Sequence, residues 1–278
     1  MMQLPAFYLK MSRDDSWYMD RPHFHESVEF LLPVSSGDQL FVENEAYPLR
    51  PSVLFVLPDA TLHKTLASRP YKRFVLHVPV QTLDFLSTTQ TNLSERIHNA
   101  QYMVELGDRT EYFRDLLGQL ERRCEAHSTE FGADIEELFL LTKFLIEVLS
   151  LAKPRKKEPE LPKHSMKSNS LQISAVLDYL QEHMTEKLTL DQIASEFYIS
   201  KYHLSHCFKA ATGFSVMEYL ISSRILKARL LLQDGVRVQA AGEAVGFQSN
   251  EHFIRTFTSM TGISPKQYAR QFSEGDKQ

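Results

Sequence analysis

Two groups of side chains in this sequence have types and spacings that could do chemistry. The first lies near the start of the chain, where strand alternation puts His23, His25, Ser27 and Glu29 on one face and Phe24, Val28 and Phe30 on the other, with Glu26 the exception. A later segment, Pro58-Asp59-Ala60-Thr61-Leu62-His63, supplies a further imidazole. His-x-His, a carboxylate four residues on and a distant histidine suit a divalent transition metal with open positions. The same groups lining a polar lumen instead hydrogen-bond a small hydroxylated ligand such as a sugar. Arg50, Lys64, Arg73 and His77 could add anion contacts or face solvent, as charges on strands usually do.

The second group lies in the last hundred residues and has the chemistry of reading base edges. Arg255 can pair bidentately with guanine, Glu251 can accept from cytosine and Ile254 can meet a thymine methyl, with Asn250 at the amino end of the same segment. Tyr202, Ser205 and His206 are the corresponding candidates in an earlier segment, followed by Lys209 as a phosphate contact. These residues sit at corresponding places in an internal duplication. Displaced by 49 positions, Ser200 matches Ser249, Phe208 matches Phe257, Thr212 matches Thr261, Gly213 matches Gly262, Ser215 matches Ser264 and Tyr219 matches Tyr268. Upstream the displacement is 48, so the second copy carries one added residue at its turn.

Each copy reads as helix, tight turn, helix. Thr189 and Gln192 are placed as a capping box, and Leu190, Ile193, Ala194 and Phe197 form an apolar stripe at helical spacing. Ser200 caps the next helix, where Leu204, Cys207, Phe208 and Ala211 face inward while Tyr202, Ser205, His206 and Lys209 form a second, outward stripe; Gly213 ends it. In the second copy the inward residues are Phe253, Thr256, Phe257 and Met260, and the outward ones are Glu251, Ile254, Arg255 and Thr258. Ser215 with Glu218, and Ser264-Pro265 with Gln267, repeat the capping signal at the helices that follow. A helix held by one face and offered by the other is what a major-groove reader requires. Ala241-Gly242 stands where the first copy has Ile193-Ala194, which predicts a less firmly packed second motif, a helical glycine costing about 1 kcal/mol against alanine.

Other elements must position the first group. Short runs at Val28–Val34, Leu40–Val42, Val53–Leu57 and Arg73–Val78, separated by turn residues, predict an antiparallel sandwich or barrel. From about Thr110 the period becomes helical, through Phe113, Leu116, Leu117 and Leu120, and a second helix over Ile135–Leu149 is apolar around most of its circumference. Such a helix must cover something on two sides: the barrel on one, and on the other either more of the same core or a second copy of the chain.

Net charge by region bears on the choice of partner. The 278 residues sum to −4, but residues 1–152 carry −8, residues 153–166 carry +3 and residues 167–278 carry +1. The acidity belongs to the first half, so the total is no objection to a nucleic-acid partner for the second. The helical faces carry few cations, which predicts modest phosphate neutralisation and a shallow salt dependence for one chain. Residues 153–163 hold three prolines and several charges and read as a semi-extended linker. Two cysteines, Cys124 and Cys207, exclude a disulfide scaffold and point to a reducing cytoplasm; no export signal and no membrane span is expected.

The pattern Leu190-Asp191-Gln192-Ile193-Ala194, Ile199-Ser200, His203-Leu204, Phe208-Lys209, Thr212-Gly213-Phe214-Ser215, then Ala244-Val245-Gly246-Phe247, Phe253, Arg255, Phe257, Thr261-Gly262-Ile263-Ser264-Pro265 and Tyr268, closely resembles the double helix-turn-helix of AraC/XylS-type transcription regulators over residues 171–272. The resemblance implies two helical subdomains joined by a long helix, here Val216–Gln233, with Tyr202, Ser205 and His206 in one and Asn250, Glu251 and Arg255 in the other approaching bases. The early His-x-His segment resembles the cupin barrel, although Ala60 stands where the second cupin motif prefers glycine.

The expectation is an α+β multidomain chain with an N-terminal cupin-like β-barrel and helical hairpin and a C-terminal all-α double helix-turn-helix. Its segments are 1–108, the effector-sensing barrel; 109–152, a dimerising helical pair; 153–167, a linker; and 168–273, the DNA-binding domain. The function is that of a cytoplasmic, sequence-specific regulator without catalytic residues, cofactor or resident metal. Its effector, a sugar being the suggested class, is bound by His23, His25, Glu29 and His63, and its partners are double-stranded DNA, a second copy of the chain and RNA polymerase. The alternatives are a metal-dependent cupin enzyme with an appended helical DNA-binding module and an adapter whose helices bind protein.

Overall fold

The computed structural model describes residues 7–12, 27–66, 71–155 and 173–273. Contacts divide the chain into two units, whose described residues are 7–12, 27–66 and 71–155 in the first and 173–273 in the second. The first runs β1 (Tyr8–Ser12), β2 (Ser27–Pro33), β3 (Gln39–Val42), β4 (Glu45–Pro48), β5 (Val53–Leu57), β6 (His63–Leu66), β7 (Arg73–Pro79), α1 (Val80–Leu86), α2 (Leu93–His98), β8 (Met103–Glu105), α3 (Thr110–Ala126) and α4 (Ala133–Leu151). Five strands form one antiparallel sheet in the order β1-β7-β2-β5-β8, and three form another in the order β4-β3-β6.

Side-chain alternation turns these sheets into three layers. On β2, Val28, Phe30 and Leu32 point to the face covered by the helices, where they pack with Leu54, Leu76, Phe113, Leu141 and Phe144. Leu31 points the other way and packs with Leu40, Val42, Phe55 and Leu57 between the two sheets. Strand β5 is buried at every position because both of its faces are covered. This is the sandwich form of the expected antiparallel class.

Several elements differ from the sequence expectation. Helices α1 and α2 occupy part of the region read as barrel, and both are short. A proline precedes α1, and Asn92 caps α2 by accepting from the Glu95 amide at 2.9 Å. Strands β4 and β8 are too short, and β4 too exposed, to leave an apolar alternation. The first residues of the expected linker are docked: Ala100 bridges to Pro154, the Arg155 amide donates to the Asn99 carbonyl at 2.6 Å, and the Arg155 guanidinium lies 3.9 Å from the centre of the Tyr102 ring. Residues 156–172 lie outside the described residues.

Helix α4 buries Leu141, Phe144, Leu145, Val148 and Leu149, while Ile135, Phe139 and Ile146 remain 63, 65 and 52% exposed along its other side. Its outward apolar stripe is therefore not covered within the unit. No helix of the described residues is long and apolar enough to cross a membrane.

The second unit is all helical: α5 (Ile173–Glu182), α6 (Leu190–Glu196), α7 (Lys201–Thr212), α8 (Val216–Gln233), α9 (Val238–Ala244), α10 (Asn250–Thr261) and α11 (Pro265–Ser273). The capping signals act as read. Thr189 and Gln192 close a capping box on α6, Ser215 and Glu218 close another on α8, and Ser200 and Ser249 accept from the amides of His203 and His252. Ser264 and Gln267 exchange the same bonds at the start of α11.

Candidate nucleic-acid interface

Helices α7 and α10 are each anchored by one apolar face. Leu204 and Phe208 hold α7, and Phe253 and Phe257 hold α10, all fully buried. Cys207, Ala211, Thr256 and Met260, also read as inward, are half-buried at the margins. The opposite faces are open. On α7, Tyr202 is 81% exposed with its ring stacked against His206, Lys209 is exposed, and Ser205 is half-buried beside them. On α10, Asn250, Glu251 and Arg255 are exposed and Ile254 lies between them. Thr258 donates its hydroxyl proton to the Ile254 carbonyl at 2.8 Å and so keeps only acceptor capacity. The structure thus brings the predicted residues of each copy onto one face of one helix. Each carries donors, acceptors and an aromatic or aliphatic surface of the kinds that recognise base edges.

The packing beneath α10 corrects one expectation. A Cβ at Gly242 would lie 2.8 Å from Cδ1 and 2.9 Å from Cγ of Phe253. The ring occupies the space that a side chain at position 242 would need, and Phe253 is completely buried. In the first copy the smaller Leu204 stands at the place of Phe253, and Ala194 at the place of Gly242. The second motif is therefore packed as closely as the first, with its volume moved from the supporting helix to the reader.

Between the sheets of the first unit lies a cluster of buried polar groups. Glu29 of β2 and His63 of β6 approach to 3.3 Å, with both side chains 2% exposed. The Nδ1–H of His63 donates to the Thr61 carbonyl at 2.9 Å, so Nε2 faces the Glu29 carboxylate. Both neighbours are acceptors, an arrangement satisfied by the imidazolium. Burial alone would lower the His63 pKa, but the Glu29 charge, its hydrogen bond and the Thr61 carbonyl together raise it above the ordinary value. His77, paired with Glu29 across the β2–β7 ladder, lies 3.9 Å from the same carboxylate and 3.3 Å from the Ser27 hydroxyl. Arg73 is buried on the same strand with its guanidinium 4.7 Å from the centre of the Tyr71 ring, and Thr65 of β6 is 3.4 Å from the Tyr71 hydroxyl. Burial raises the Tyr71 pKa despite Arg73, keeping the phenol neutral.

Of the four expected effector residues, Glu29 and His63 come together, and His23 and His25 lie outside the described residues. Arg73 and His77 belong to the cluster, whereas Arg50 pairs with Glu105 at an exposed edge. Tyr71 and Thr65 were not singled out by the sequence; the alternation of β6 through His63 and Thr65 was the signal that could have found Thr65. Among the described residues no group of three or more His, Cys, Asp or Glu side chains is arranged to hold a metal ion. Ala60 has φ of 61°, the left-handed conformation that glycine adopts freely, at the position where the cupin motif prefers glycine.

Comparison with known proteins adds to this geometry. Residues 193–271 match a family model described as a helix-turn-helix domain. The chain is 35% identical over 99 residues to the HTH-type transcriptional regulator YijO of Escherichia coli, a match covering 35% of each chain. It is 24% identical over 250 residues to the HTH-type transcriptional regulator YfiF of Bacillus subtilis, covering 87% of this chain and 76% of that one. To the multiple antibiotic resistance protein MarA of Escherichia coli it is 26% identical over 110 residues, 39% of this chain and 87% of MarA. The match to YijO thus spans about a third of that protein's length.

Proposed function

We propose, from the premise that residues 193–271 are a helix-turn-helix domain of the AraC type, that this chain is a sequence-specific DNA-binding transcription regulator that responds to a small molecule. The observation that carries the reading is the duplicated reader: α7 and α10 each bury one face and expose Tyr202, Ser205, His206 and Lys209, or Asn250, Glu251 and Arg255, on the other. Tyr202, Ser205, His206, Asn250, Glu251 and Arg255 approach base edges, and Lys209 holds a phosphate. Few cations border these faces, so affinity rests on specific contacts and on a second copy of the chain more than on bulk charge.

The first unit, residues 1–108 with the helical pair 109–152, is the sensing and dimerising part, and residues 153–167 link it to the DNA-binding domain, 168–273. The cluster of Glu29 and His63 with His77 and Arg73 is the candidate effector site. Its mix of donors and one carboxylate suits a hydroxylated ligand such as a sugar. A ligand there would bias the packing of the sheets and helices and so the presentation of the readers. The exposed stripe Ile135, Phe139 and Ile146 on α4 is the surface offered to the second copy. The chain acts in the cytoplasm, RNA polymerase is the further partner of its DNA-bound form, and no catalytic step is assigned to it.

The test is electrophoretic retardation of DNA fragments flanking the chain's own gene, at low salt and with unrelated competitor DNA. Retardation that survives competitor supports the reading; its absence from every fragment refutes it.

A further inference from the structure

The two copies of the helix-turn-helix differ at one backbone position, and the difference points to a junction between them. Each motif turns through a residue of positive φ: Tyr198 at 55° in the first and Gly246 at 92° in the second. Tyr198 is 90% exposed, so its turn touches little and tolerates a large side chain. At Gly246 a Cβ would lie 2.7 Å from the Thr185 carbonyl oxygen and 3.0 Å from Nη2 of Arg224. Thr185 belongs to the segment between α5 and α6, that is, to the first motif's half of the unit. The turn of the second motif is therefore seated on the backbone of the first.

Arg224 completes the contact from the middle of α8, the helix that joins the motifs. Its side chain is nearly buried; Nε donates to the Met184 carbonyl at 2.7 Å and Nη2 to the Glu186 carbonyl at 2.5 Å. These carbonyls follow the end of α5, where no further helical turn supplies donors. Burial lowers the pKa of Arg224; a guanidinium nevertheless stays protonated in proteins, so these hydrogen bonds are charge-assisted. On the far side, Tyr268 of α11 is held to α8 through Arg229 at 3.1 Å and Gln233 at 2.7 Å. Rotation of the second motif about α8 would have to break contacts at both ends.

We propose that Arg224, Gly246 and the 184–186 backbone form a spacer lock that fixes α7 relative to α10, making Arg224 the positioning residue that sets the distance between the two base-reading elements of the DNA site. This rests on the reading of α7 and α10 as DNA readers. A single inserted base pair moves one element by about 3.4 Å and turns it by about 35° relative to the other. A locked pair of readers cannot follow; a pair hinged on α8 alone can.

The experiment uses the full chain and a fragment it retards, with the two contacted elements mapped and then separated by none, one or two inserted base pairs. The wild type is expected to lose about tenfold or more in affinity with one insertion. Arg224→Ala is expected to bind the original site more weakly and to show a reduced insertion penalty, under about threefold, with Arg224→Lys between the two. Gly246→Ala should change the profile in the same direction, and it carries the test if Arg224→Ala loses its helical circular dichroism. Gly262→Ala is the control for backbone strain, since Gly262 has φ of 80° with nothing within 4 Å of a Cβ, and it should keep the wild-type profile. A wild-type chain indifferent to spacing, or folded Arg224→Ala and Gly246→Ala variants with the full penalty, would overturn the lock. Failure of the wild type to bind any fragment overturns the DNA-reader assignment itself, a distinguishable result that takes the lock with it.

Discussion

Replacing Gly242 with alanine is expected to destabilise the second motif, and pairing it with Phe253→Leu is expected to restore it. Helix propensity alone favours alanine by about 1 kcal/mol, so a reading without tertiary structure predicts stabilisation. The new methyl would instead lie 2.8 and 2.9 Å from two ring atoms of Phe253 and 3.3 Å from its Cβ. Phe253 is fully buried and packed against Phe247 and Phe257, with ring centroids at 5.3 and 5.7 Å, so the ring cannot swing into solvent. Overpacking of this kind costs about 1–3 kcal/mol, which outweighs the propensity gain and leaves a net loss on the order of 1 kcal/mol. Phe253→Leu alone opens a small cavity and costs about 1–2 kcal/mol. The double variant reproduces the Ala194 and Leu204 pair of the first copy, and its coupling energy should be about 1–3 kcal/mol in favour of the pair. The assay is urea unfolding of the full chain followed by far-ultraviolet circular dichroism, comparing the transition that the variants move. Strictly additive losses, or a Gly242→Ala variant more stable than the wild type, would refute the volume-exchange argument.

Arg255→Ala should cost about 1–3 kcal/mol at one base position and relax selectivity there, whereas Lys209→Ala should weaken all sequences alike; equal effects of both across every sequence in a competition assay would remove Arg255 from base reading. Glu29→Gln should cost about 3 kcal/mol of stability in the first unit near pH 6, because it leaves the buried His63 without its carboxylate. The raised pKa of His63 means that the pair's contribution is fully present below pH 6.5 and is lost as pH rises through the folded-state value. The melting temperature of the wild type should therefore converge on that of Glu29→Gln as pH is raised, and divergence would contradict the pairing. Phe139→Asp together with Ile146→Asp should abolish the dimer in sedimentation while leaving the monomer folded, since both side chains are more than half exposed; an unchanged dimer places the interface elsewhere.

The helical half was legible because its signals are local. Thr189 with Gln192, Ser200, and Ser215 with Glu218 lie within one turn of the bonds they make, and α8 begins and ends at the residues read from the sequence, Val216 and Gln233. Apolar runs without interruption, such as Val53–Leu57, also declared themselves. What failed to show depends on distant partners. The sequence grouped Glu29 with His63, but their direct pairing arises because two sheets face each other, which alternation along either strand cannot reveal. Gly242 was read by its propensity as a weakness, and only the ring of Phe253 shows why the position excludes a side chain. Arg224 drew no reading from the sequence, because the Met184 and Glu186 carbonyls that hold it belong to the segment between α5 and α6.

The most direct test of the account is methylation interference on a retarded DNA fragment, which reports contacts at guanine N7 in the major groove. Two clusters of interfering guanines on one side of the duplex, about one helical turn apart, are the expected result, with one cluster losing a guanine in Arg255→Ala. Interference confined to the minor groove, a single cluster, or two clusters unaffected by changes in both α7 and α10 would contradict the assignment of these helices as a paired reader.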